Sequence, residues 1–68
     1  MSFSMAPLLM HSEQVPSEAR DAIRAAYEGG PEHRSAWLES AARILHRNTG
    51  LACSDIRELV GLPSGEDC

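Results

Sequence analysis

Residues 15–50 read VPSEARDAIRAAYEGGPEHRSAWLESAARILHRNTG, and the Gly-Gly-Pro at 29–31 divides them into two helical periods. In the first, Val15, Ala19, Ala22, Ile23, Ala26 and Tyr27 recur at i, i+4, i+7, i+8, i+11 and i+12. That spacing makes one continuous apolar stripe along a helix. Pro16 suits the first helical position, where its missing N–H has no partner in any case. Glu18 and Asp21 lie toward the positive end of the helix dipole, and Arg20, Arg24 and Glu28 occupy the outer face. Pro31 opens a second helix that should run to about Asn48. Trp37, Leu38, Ala41, Ile44 and Leu45 line its apolar side, with Trp37 expected at the centre of the core. Arg34, Glu39, Arg43 and Arg47 form the other side, with Glu39 and Arg43 at ion-pair spacing. A link this short makes the two helices antiparallel neighbours.

Working outward toward the C-terminus, Gly50 ends the second helix, and Leu51 is expected to fold back onto the last turn. Ser54 reads as the N-cap of a third, short helix, with Asp55 in its first turn and Ile56, Leu59 and Val60 on its apolar side. Gly61 and Leu62 repeat the Gly-Leu ending, and Pro63 prevents continuation. The tail 63–68 is expected to fray. Toward the N-terminus, Phe3, Met5, Leu8, Leu9 and Met10 make residues 1–14 unusually apolar, and Pro7 can open a helical turn through about Glu13. This segment either packs on the helices and completes a thin core or docks on another molecule. The expected fold class is all-α: a small three-helix bundle over 15–62, a short fourth helix in the apolar segment 1–14, and a flexible tail.

Sixty-eight residues make one domain at most. At roughly 0.05–0.15 kcal/mol per residue, such a chain is stable by only about 3–10 kcal/mol. Ten acidic residues stand against six basic ones, giving a net charge of −4. All six basic residues are arginine, scattered along the chain, so a phosphate backbone would be repelled. Arginine without lysine, beside many alanines, points by association to a GC-rich bacterial genome. Cys53 and Cys68 form neither a disulfide framework nor a Cys-x-x-Cys pair, and are expected as two free thiols in a reducing cytoplasm. Nothing approaches the ~20 apolar residues of a membrane span, and the opening MSFSMAPLLM lacks the positive start of a signal peptide.

The run Thr49–Leu59, TGLACSDIREL, has the cadence of a turn followed by a second helix. As the pattern TGLxxSxIxxL it resembles the winged-helix and repressor-type helix-turn-helix families, over about twenty residues. The resemblance implies a DNA-binding segment over 42–61, with Arg43, Arg47 and Arg57 as its contacts. His46 departs from the small residue usual at its position. The exposed candidates on the second helix are Asp55, Arg57 and Glu58, two anions to one cation, whereas base reading and phosphate docking need cationic and amide side chains. Nucleic acid is therefore disfavoured as a partner.

His11, His33 and His46, taken with the two cysteines, lack the paired spacing of a structural zinc site, and the expectation is solvated histidines and no metal. Ser54, His46 and Asp55 can be drawn as a catalytic triad, but Ser54 and Asp55 are more simply a cap and its first-turn charge. No phosphate-binding loop is present, because the Gly-Gly-Pro follows a helix and has no lysine. The reading is a cytoplasmic, non-enzymatic interaction module of regulatory or adaptor type, without a cofactor. It would bind a protein partner or self-associate through Phe3, Leu8, Leu9 and Met10.

Overall fold

Four helices follow one another in the computed structural model, which describes residues 5–68: α1 (Ala6–Leu9), α2 (Ser17–Glu28), α3 (Pro31–Thr49) and α4 (Cys53–Val60). No strand occurs among the described residues. The fold is all-α, as the periodicity requires. Its radius of gyration is 10.6 Å, close to the ~11 Å of a globule of this length.

Packing is centred on α2 against α3. Val15, Ala19, Ala22, Ile23 and Ala26 are buried from one side, and Leu38, Ala41, Ala42, Ile44 and Leu45 from the other. Pro16 stands just before α2 and not inside it, and its carbonyl accepts the Arg20 N–H at 3.0 Å. Two large residues of the expected stripe are not in the core. Trp37 is 44% exposed and Tyr27 37% exposed. About half of the buried positions in the two helices are alanine, so the helices approach closely and both rings stay at the rim of the seam. Arg34 covers the Tyr27 ring at 5.0 Å from its centroid and donates from Nε to the Ala26 carbonyl at 3.4 Å.

The two Gly-Leu endings differ. Gly61, at φ +83°, closes α4 with a Schellman pair: its N–H reaches the Glu58 carbonyl at 3.2 Å and the Leu62 N–H reaches that of Arg57 at 2.8 Å. Leu62 is buried beneath it. Gly50, at φ +73°, closes α3 with a single bond to the His46 carbonyl at 3.0 Å. Leu51 does not fold back. The start of α4 also differs from expectation: Ala52 occupies the capping position with no side-chain bond, and Ser54 lies exposed inside the first turn. Ile56 and Val60 are buried as expected.

Upstream, α1 is a single turn that ends well before Glu13. Ala6 is fully buried, and Leu9 and Met10 pack partly against the core. The Met5 N–H donates to the Leu59 carbonyl at 2.7 Å, which ties the segment to α4. Residues 5–10 therefore pack on the bundle; Phe3 lies outside the described residues.

Candidate functional site

Two features lie at the end of the bundle where α3 hands over to α4. The first is covalent. Cys53, the first residue of α4, is joined to Cys68 by a disulfide with the Cα atoms 5.8 Å apart. Neither cysteine is free, which overturns the expectation of two thiols. The tail expected to fray is also held along its length. Arg57 donates from Nε to the Pro63 carbonyl at 2.9 Å and from Nη1 to the Asp67 carbonyl at 3.1 Å. The same Nη1 lies 2.8 Å from both carboxylate oxygens of Glu39. Glu39 thus pairs across helices with Arg57 and not with Arg43 along its own. At Gly65, an added Cβ would come within 3.2 Å of the Arg57 Nε, so the tail approaches the guanidinium at a residue with no side chain.

His46 stands beside this clasp. Its Nδ1 lies 2.7 Å from the Leu51 carbonyl. An imidazole nitrogen of His46 and the sulfurs of Cys53 and Cys68 all lie within 4.8 Å of one another. The three residues are separated by seven and fifteen positions, a spacing with no local motif. The turn at Gly50 brings the first two together, and the folded tail supplies the third.

The second feature is an apolar groove of about 430 Å³, lined by Met5, Leu51 and Leu59 with the carboxylates of Asp55 and Glu58 at its edge. Leu51 is 47% exposed and Met5 39% exposed. Both backbone polar groups of Leu51 are engaged: its N–H donates to the Thr49 Oγ1 at 3.2 Å, and its carbonyl meets His46. The turn therefore presents the Leu51 side chain outward in a fixed position.

Of the residues named for partner binding, Leu8 is exposed, Leu9 and Met10 are turned partly into the core, and Phe3 is not described. Sequence reading missed Leu51, because a Gly-Leu helix ending ordinarily buries its leucine. Of the three arginines expected to contact DNA, Arg43 is exposed, Arg47 lies 3.8 Å from Glu18, and Arg57 is held in the clasp with its side chain 11% exposed. His11 and His33 are exposed. No helix among the described residues is long and apolar enough to cross a membrane.

Comparison with protein-family profiles, characterised proteins and solved structures finds no match to this chain.

Proposed function

We propose that this chain is a non-enzymatic protein-interaction module that docks its partner in the groove formed by Met5, Leu51 and Leu59. The observation that carries this reading is Leu51. It is a large apolar side chain half in solvent, on a turn whose backbone bonds fix it before any partner arrives. An anchor ordered in advance loses little entropy on binding. Leu8, 65% exposed and one helical turn beyond Met5, adds apolar area near the same segment. Asp55 and Glu58 border the groove, and the chain carries a net charge of −4. The complementary partner is a protein segment with apolar anchors flanked by arginine or lysine.

The helix-turn-helix reading has less support. Arg57 is committed to Glu39 and two carbonyls, and the remaining exposed face of α4 carries Asp55 and Glu58. Placement in a bacterial cytoplasm belongs to the same proposal, and it requires the Cys53–Cys68 pair to meet a reducing environment.

Affinity capture with the immobilised wild type and a Leu51→Glu variant, with nuclease present, tests the reading. Leu51 is exposed, so the variant folds. A protein retained by the wild type and lost by Leu51→Glu is the expected outcome, its binding weakened but not abolished by salt. Recovery of the same proteins by both baits, or of nucleic acid alone when nuclease is omitted, would refute it.

A further inference from the structure

We propose that His46, Cys53 and Cys68 form a three-ligand zinc site when the disulfide is reduced. The site needs no docking partner, although it shares the His46–Leu51 contact with the groove. One ring nitrogen of His46 and the sulfurs of Cys53 and Cys68 lie within 4.8 Å of one another. Zinc binds thiolate sulfur at about 2.3 Å and imidazole nitrogen at about 2.0–2.1 Å, so ligands on one tetrahedral ion stand roughly 3.5–3.8 Å apart. Two cysteines with Cα atoms 5.8 Å apart reach that separation by side-chain rotation once their bond is opened.

The imidazole is prepared for the role. A backbone carbonyl can only accept, so the 2.7 Å contact between His46 Nδ1 and the Leu51 oxygen puts the ring proton on Nδ1. The lone pair is then left on Nε2. A ligand histidine held through its other nitrogen in this way is the usual outer-shell arrangement of a zinc site. Cys53 is the first residue of α4, so the helix fixes the backbone from which its sulfur reaches Cys68 and His46. Three protein ligands leave the fourth tetrahedral position to water.

The chemistry has two steps. A dithiol reductant gives two electrons and two protons to the Cys53–Cys68 bond, which becomes two thiols while the reductant closes to its own disulfide. Zinc then binds both sulfurs and His46, and the two thiol protons are released to solvent. The oxidised clasp and the zinc-loaded clasp hold the tail at the same place, so the chain keeps its shape in either redox state.

Cobalt serves as the spectroscopic probe. The full chain is reduced anaerobically with a phosphine, desalted and titrated with Co²⁺, with far-UV circular dichroism followed in parallel. The reduced wild type should take up one Co²⁺ per chain, with thiolate charge-transfer bands and tetrahedral d–d absorption that Zn²⁺ abolishes. The oxidised chain should show neither. His46 is exposed, so His46→Ala keeps the fold, and its cobalt affinity should fall at least by the roughly 10–100-fold that loss of a supporting group costs a metal site. Cys68→Ser should lose the two-thiolate spectrum. A reduced chain that recovers helicity only on adding cobalt also supports the site. No cobalt spectrum in the reduced chain, equal binding by the oxidised chain, or unchanged affinity in His46→Ala overturns the proposal.

Discussion

Arg57 was read from the sequence as a surface charge that could meet a phosphate, and it is instead a structural clamp. Its guanidinium joins α3, α4 and the tail through Glu39, Pro63 and Asp67. Hydrogen bonds to a charged group contribute about 1.5–3 kcal/mol each in net terms, and part of this set is open to water. Arg57→Ala should therefore lower stability by about 2–3 kcal/mol in urea unfolding, and Arg57→Lys should recover little, because one ammonium cannot replace the planar fork. Trp37 makes the opposite point. Its position in the stripe was legible, but its depth was not, because depth depends on the residues across the seam. Being 44% exposed, it should cost only about 1–2 kcal/mol when changed to alanine. Ile23→Ala, at a fully buried site, should cost about 2–5 kcal/mol by the same urea titration.

Helix order, the Gly-Gly-Pro break and most buried positions could be read from period and turn chemistry alone. The ends of the elements could not. Gly50-Leu51 and Gly61-Leu62 look alike in sequence, yet only the second buries its leucine, because Thr49 and His46 bind the backbone of Leu51 and turn its side chain outward. At the start of α4, Ser54 has the right chemistry two positions too late, and Ala52 takes the capping place in extended geometry without a side-chain oxygen to offer. Ala52→Asp should supply that oxygen and raise stability by about 0.5–2 kcal/mol, read as a higher midpoint of thermal unfolding. Gly50→Ala forces a Cβ into left-handed backbone at φ +73° and should cost about 1–2 kcal/mol, with nothing sterically in the way.

For the whole molecule, the clasp matters most because the core is small. The disulfide that sequence reading missed spans fifteen positions, and cross-linking a loop of that length stabilises by about 3 kcal/mol. For a chain stable by only about 3–10 kcal/mol, reduction in a metal-free buffer should lower the melting temperature by on the order of 10–20 °C, as read by calorimetry. Spacing alone could not reveal the bond, because it exists only once the tail has folded back over α4. The alanines of the α2–α3 seam carry a different consequence. Ala19, Ala26, Ala41 and Ala42 have no exposed surface at all, so alongside Ile23, Leu38 and Leu45 a large share of the α2–α3 core is filled by methyl groups alone. In most cores the hazard is a side chain that becomes too short. Along this seam growth is a hazard as well: Ala26→Leu would wedge the helices apart and cost about 1–3 kcal/mol, while Ala26→Gly costs about 0.5–1 kcal/mol in helix propensity and about 0.8 kcal/mol more for the buried methyl group. Mutational drift toward bulk is therefore as closed to this chain as drift toward smaller residues.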